Sequence, residues 1–215
     1  GAGAIGMEFA YFYNAFGTEV TVVELMDRVL PIEDSDVSKA IRKAFKKQGI
    51  NLLTGHKTTN VEMTDSGVKA TVADANDDSK TQQIEADKVL VAIGVAGRFD
   101  GLFDDSLGIE LYKDHIKADT EGGTYQTSVP GIYAIGDVIG PPWLAHVASE
   151  EAVLCVEKLA GENPHPLDYN AIPANTYCHP QVASIGLTED QCKEQGIEYE
   201  VGHFPHTALG MGQAL

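Results

Sequence analysis

The sequence predicts an α/β fold of Rossmann type that gives way to an α+β segment near its end. Three observations carry that expectation. The chain opens GAGAIGMEFA, in which Gly1, Gly3 and Gly6 spell G-x-G-x-x-G directly ahead of an apolar helix. Helical and strand patterns then alternate, and a nearly continuous apolar run, KVLVAI, has the composition of a strand buried on both faces of a parallel sheet. After Ile172 the alternation stops and short strands flank one short helix.

The elements follow in order. Residues Ala4 to Phe16 read as a helix closed by Gly17. Glu19–Glu24, EVTVVE, is a β-branched run of strand length. Pro31 lies in a loop. Asp34, Ser35 and Asp36 offer N-caps to a helix whose Val37, Ala40, Ile41, Ala44 and Phe45 recur at helical spacing. Gly49 ends it, and Ile50–Leu53 starts a strand. Runs near Thr58–Met63, Val68–Ala73 and Gln82–Ala86 are broken by DSG and DANDDSK, which predicts an antiparallel meander. Lys88–Ile93 is the buried strand. Gly131–Ala134, GIYA, is a short strand leading to Ile135, Gly136 and Asp137. Loop prolines Pro141 and Pro142 precede a helix from Trp143 to Leu159. GENPHPLDYN is a linker. Val182–Gly186 is a strand, Thr188–Gln195 a helix capped by Thr188, and Ile197–Phe204 a further strand.

Composition narrows the function classes. The 215 residues are 43% hydrophobic and 22% charged, as in ordinary globular proteins. No apolar run is long enough to predict a membrane span. Fifteen basic against 32 acidic residues give a net charge of −17, which repels nucleic acid and anionic membranes. Cys155, Cys178 and Cys192 match no C-x-x-C or zinc spacing, and predict reduced thiols in a cytoplasmic setting.

The candidate sites rest on a few residues. Gly1 permits a tight turn, Gly3 lets a pyrophosphate approach the backbone, and Gly6 lets the helix pack against the sheet. The helix N-terminus offers free N–H groups and a positive dipole end to phosphates. Glu24, at the end of the next strand, stands where an acid takes ribose hydroxyls. It would repel a 2′-phosphate and so favours NAD over NADP. Glu8 reads as an acid near the dipole. Asp137 ends a strand at the crevice where α/β sheets bind ligands, although such a carboxylate more often caps a turn. His146 lies on an apolar helix, where a packed or hydrogen-bonded role is the commoner one. His115, His165, His179, His203 and His206 suggest no assignable role. No Ser/His/Asp set and no metal-ligand spacing stands out.

Taken together, the motifs resemble those of the flavin-dependent pyridine nucleotide–disulfide oxidoreductases. The stretches concerned are GAGAIGMEFA, EVTVVELMDRVLPIEDSDVSKAIRKAFKKQGI, ADKVLVAIGVAGR, VPGIYAIGDV, LAHVASEEA and IPANTYCHPQVASIGLTEDQ. They span nearly the whole chain in the family's order, and the pattern is most similar to the lipoamide-oxidising branch. The resemblance implies FAD and NAD as cofactors. It implies a NAD-binding domain over 1–117 lacking its first strand, a returning segment of an FAD-binding domain over 118–165, and the start of an interface, or dimerisation, domain over 166–215.

By the same resemblance, Gly1, Ala2, Gly3, Ala4, Ile5, Gly6, Met7 and Glu8 wrap the NAD pyrophosphate and nicotinamide side, with Glu8 near the flavin. Glu24 takes the adenosine ribose, Thr58 touches the adenine end through its backbone, and Gly94 lines the NAD site. Asp137 binds the ribityl or phosphate region of FAD, and Trp143, Leu144, Ala145 and His146 pass beside the isoalloxazine ring, largely by backbone contacts. In the family the glycine motif lies mid-chain, so the sequence looks like an internal fragment. The family's redox pair C-x-x-x-x-C and its histidine–glutamate acid/base pair fall outside it, and no catalytic residue is assigned here.

The implied parent reaction oxidises dihydrolipoamide, carried on a lipoyl domain of a 2-oxoacid dehydrogenase complex, and passes a hydride to NAD+. The resemblance also implies a parent that is a cytoplasmic homodimer. The 215 residues alone are expected to be inactive, poorly stable and weak in binding FAD. Three departures stand out: Trp143 where methionine is usual, VAGRFDG for an arginine-proline-asparagine ending, and Cys178 where threonine is common. Two alternatives are a mercuric or glutathione reductase type and a non-catalytic dinucleotide-binding module. Glu24 speaks against the glutathione enzyme, and Asp137 with LAHVASEE speaks against the module.

Overall fold

Two short strands joined by an amphipathic helix build the first layer. In the computed structural model, which describes residues 1–214, α1 (Ala4–Ala15) leads to β1 (Thr21–Glu24), α2 (Ser35–Lys47) and β2 (Asn51–Thr54). β1 and β2 pair in parallel, from Thr21 opposite Asn51 to Glu24 opposite Thr54. A parallel pair needs a crossover, and α2 provides it. The buried residues of α2, Ser38, Ile41 and Phe45, share one face at three- and four-residue spacing. Ile41 and Phe45 share a core with Met7 and Ala10 of α1, Val22 of β1, and Ile50 and Leu52, and Met7 and Phe45 are wholly excluded from water. α1 stops at Gly17, whose φ of +87° only glycine adopts without strain. Asp34 holds the N-cap position of α2 but does not cap it. Its Oδ1 accepts instead from the backbone N–H of Glu189 at 2.8 Å.

The expected meander is present. β3 (His56–Thr64), β4 (Gly67–Asp74) and β5 (Asp77–Ala86) form an antiparallel sheet with β4 in the middle. β4 supplies the buried Val68, Val72 and Ala73, while β3 and β5 are largely exposed.

Three expected strands differ. Residues 88–93 are not a strand, and Val91 and Ile93 are 74% and 82% exposed. A parallel strand needs hydrogen-bonded neighbours, and among the described residues nothing pairs with this run. Residues 131–134 form only a single bridge, Tyr133 with Gln126. Residues 197–204 have no regular structure, and Val201 and Phe204 face solvent.

The later half has its own small core. β6 (Leu111–Tyr112) and β7 (His115–Ile116) make a hairpin, a 3-10 turn spans Gly136–Ile139, and α3 runs Ala145–Leu159. Tyr125, Leu154 and Cys155 pack there with Tyr133, Ile135, Ile139 and Leu167. β8 (Ala174–Thr176) and β9 (Val182–Ser184) pair antiparallel and lead to α4 (Glu189–Gln195) and α5 (Gly210–Ala214). Thr188 and Gln191 close a reciprocal capping box on α4. The β8–β9 region packs on the first layer, with Cys178 and Val182 joining its core. Gln48 Nε2 donates to the His179 carbonyl at 2.7 Å, and Arg28 pairs with Asp190 at 2.9 Å.

Candidate functional site

The glycine turn at the start of α1 is crowded on two sides and open on a third. A Cβ at Gly1 would collide with the Ala92 carbonyl oxygen, and one at Gly6 with the Gly1 carbonyl oxygen. The run 88–93 therefore passes directly beside the turn, and Gly94 follows it in a glycine-favouring φ of +124°. At Gly3, a Cβ would meet nothing within 4 Å. Gly3 is also the N-cap of α1 and has no side chain to satisfy the first-turn N–H groups. That combination leaves a helix N-terminus facing open space on one side of the turn, the arrangement that accepts an anion. Ala4 is half-buried and Ile5 51% exposed, whereas the side chains of Ala2 and Met7 are buried. Ala2 and Met7 can therefore meet a ligand only through their backbone.

Glu24 lies at the end of β1 and is 8% exposed. Its Oε1 accepts from the Met26 N–H at 2.8 Å, and its Oε2 from the Ala2 N–H. The carboxylate thus joins the strand end to the glycine turn, and each oxygen keeps a second lone pair for a hydroxyl donor. Thr58 sits exposed on β3 opposite Val72, at the irregularity in the ladder. Glu8 lies one turn further along α1. Its Oε1 accepts from the Tyr177 N–H at 2.8 Å, beside an open cavity of about 280 Å³ lined by Phe9, Tyr11, Phe12 and Tyr177.

A second group forms where the 3-10 turn meets α3. Asp137 is exposed in the first turn of the 3-10 segment. Leu144 is the N-cap of α3 and gives no side-chain cap, so this helix also opens with unsatisfied N–H groups. Ala145 and His146 are exposed, and His146 Nε2 lies 3.1 Å from the Pro173 carbonyl oxygen, within hydrogen-bond distance. Trp143 is 40% exposed, and its Nε1 donates to His115 Nε2 at 3.3 Å.

Three residues missed by sequence reasoning support this group: Glu151, Tyr169 and His115. Glu151 is 3% exposed. Its Oε2 accepts from the Gly136 N–H at 2.6 Å and its Oε1 from the Tyr169 hydroxyl at 2.7 Å. Burial, with hydrogen bonds to Tyr125 and Glu151, keeps the Tyr169 hydroxyl protonated far above its ordinary range. Glu151 was detectable, because it shares the helix face of Val147, Leu154 and Cys155. Tyr169 and His115 carried no comparable local signal. Among the described residues, no group of three or more His, Cys, Asp or Glu side chains could hold a metal ion.

Both groups pair an uncapped helix start with a carboxylate, as a dinucleotide with phosphates and ribose requires. Residues 1–152 match the family described as pyridine nucleotide-disulphide oxidoreductase. The chain belongs to this family. Residues 172–215 match the family's dimerisation domain. Among curated relatives, dihydrolipoyl dehydrogenase of Rhizobium etli is 46% identical over all of this chain and 44% of its own length. Dihydrolipoyl dehydrogenase of Chlorobaculum tepidum is 45% identical over all of this chain and 45% of its own length, and that of Bacillus subtilis 41% over 98% and 44%. The chain thus spans a little under half the length of these relatives.

Among solved structures, LpdA from Mycobacterium tuberculosis superposes with a TM-score of 0.79 at 28% identity, covering 90% of this chain and 40% of that one. The HOCl-induced flavoprotein disulfide reductase RclA from Escherichia coli gives 0.84 over the whole chain and 47% of its own, at 24% identity, a likeness of fold alone. The family works with FAD and NAD. The open face at Gly3 and the exposed start of α3 fit such ligands.

Proposed function

We propose that this chain supplies cofactor-holding parts of a dihydrolipoyl dehydrogenase, an enzyme that oxidises dihydrolipoamide and reduces NAD+. The observation that carries the reading is the 46% identity over the full chain to a protein of that name. The geometry of the glycine turn agrees with it. Under this reading 1–117 is the NAD domain, 118–165 the returning FAD segment and 166–215 the start of the interface domain. The substrate is carried on a lipoyl domain of a 2-oxoacid dehydrogenase complex. The working form is a cytoplasmic homodimer, and residues 172–215 match a dimerisation domain.

Each residue then has a task. The N–H groups that follow Gly3 bind the NAD pyrophosphate, and Gly1 and Gly6 keep the turn tight enough for that approach. Glu24 holds the adenosine ribose with its free lone pairs and repels a 2′-phosphate. Thr58 and Gly94 offer backbone at either end of the nucleotide. Asp137 takes the ribityl or phosphate region of FAD, and Trp143, Leu144, Ala145 and His146 line the isoalloxazine ring. FAD, when bound, supplies the relay between a dithiol and the nicotinamide.

The test is to read the coding DNA on both sides of the segment and assay the product of the whole frame. A C-x-x-x-x-C upstream, with NAD+ reduction that depends on dihydrolipoamide, is the expected result. A frame without the cysteine pair, or a product that reduces no NAD+, would refute the proposal.

A further inference from the structure

Trp143 is the single tryptophan of the chain, and the structure fixes it from one side. Its indole N–H donates to His115 Nε2 at 3.3 Å, and the two rings lie nearly parallel, 27° apart, with centroids separated by 5.8 Å. His115 comes from β7, not from α3, and its ring also abuts Gly140 at the end of the 3-10 turn. A Cβ at Gly140 would sit 3.8 Å from His115 Cγ. One imidazole therefore lies beside the end of the turn that carries Asp137 and bonds the residue that leads into α3. The hairpin holding His115 is itself tied back toward Gly94, because the Gly97 N–H donates to the Asp114 carbonyl at 2.9 Å.

We infer that His115 is a positioning residue for the flavin end of the site, holding the Trp143 indole as an aromatic wall beside the start of α3. The inference rests on the flavin reading given above. An indole left 40% exposed would otherwise sample several rotamers. A hydrogen bond from Nε1 together with stacking selects one of them. A planar conjugated ring entering beside Ala145 and His146 would then meet a surface already in place, without the cost of ordering it on binding. With the indole N–H donating, His115 Nε2 acts as acceptor and the proton resides on Nδ1.

The sole tryptophan makes the test direct. Acrylamide quenching of indole emission and FAD titration followed by that emission are measured on the purified protein and on two variants. His115→Phe keeps a flat ring of similar size but has no acceptor. His115→Gln keeps an acceptor oxygen without the ring. His115→Phe is expected to raise the quenching constant about twofold and to weaken FAD binding roughly three- to tenfold, the scale of one lost hydrogen bond. His115→Gln is expected to restore most of both, and far-UV circular dichroism to match in all three. If His115→Phe binds FAD and resists acrylamide as the unaltered protein does, the positioning role is wrong. If FAD at about millimolar concentration, enough to reveal weak binding, quenches the indole of the unaltered protein no more than it quenches free tryptophan, the flavin reading fails, and with it the role of the wall, whatever acrylamide reports about the indole.

Discussion

At the scale of single residues, the tightest constraint is backbone against backbone. Gly6→Ala would drive a methyl group into the Gly1 carbonyl, which no rotamer change relieves. We expect it to cost about 1–3 kcal/mol in a denaturation midpoint and to abolish NADH binding. Glu24→Gln leaves only one oxygen for two backbone donors, so one of the Ala2 and Met26 N–H groups is left unpaired. The expected cost is about 1–3 kcal/mol, and the preference for NADH over NADPH should shrink in paired titrations. Cys178 gives a pH dependence. Burial pushes its thiol from an ordinary 9.0 up to about 11, and the Glu8 carboxylate adds to that rise. The folded state therefore keeps its proton more firmly than the unfolded chain does. The resulting stability is fully present below about pH 9 and is lost as pH climbs toward 11. Melting temperatures across that window should fall less steeply in Cys178→Ala. The same thiol should react with alkylating reagents more slowly than the half-buried Cys192.

At the scale of elements, local chemistry was legible wherever an element satisfies itself. The Thr188 cap, the α2 stripe and the turn-broken meander lie in short stretches of sequence, and the structure holds all three. Thr188→Ala removes the capping box and should destabilise by about 1 kcal/mol, read from the same denaturation curve. Elements that depend on a neighbour were not legible. KVLVAI has the composition of a central strand, but pairing is a property of two segments, and composition describes only one. Asp34 shows the same limit. Its position marks a helix start correctly, yet its oxygen goes to Glu189, 155 residues away. The candidate site divides in the same way. The glycine turn and Glu24 lie within one helix–strand unit and can be read locally. Glu151, Tyr169 and His115 reach their partners across the fold, and only Glu151, an acid on an apolar helix face, left a trace in the sequence.

At the scale of the whole molecule, the first layer and the β8–β9 region share one core, so apolar burial outweighs the ion pair that also links them. Arg28 and Asp190 keep 32% and 46% of their side chains in water, and Arg28→Ala should cost less than about 1 kcal/mol. Phe45→Ala, at a position with no exposure, should cost about 3–5 kcal/mol in the same denaturant series. The central claim is that the open side of the glycine turn is a binding face for NAD. The measurement that tests it most directly is a titration of NADH into the protein and into Gly3→Ala, with a thermal melt of each. Gly3 has φ of −69° and nothing within 4 Å of a would-be Cβ, so the variant should melt with the unaltered protein. Its NADH affinity should fall at least tenfold, because the added methyl group occupies the approach to the pyrophosphate. Equal NADH affinity in the two proteins would contradict the account.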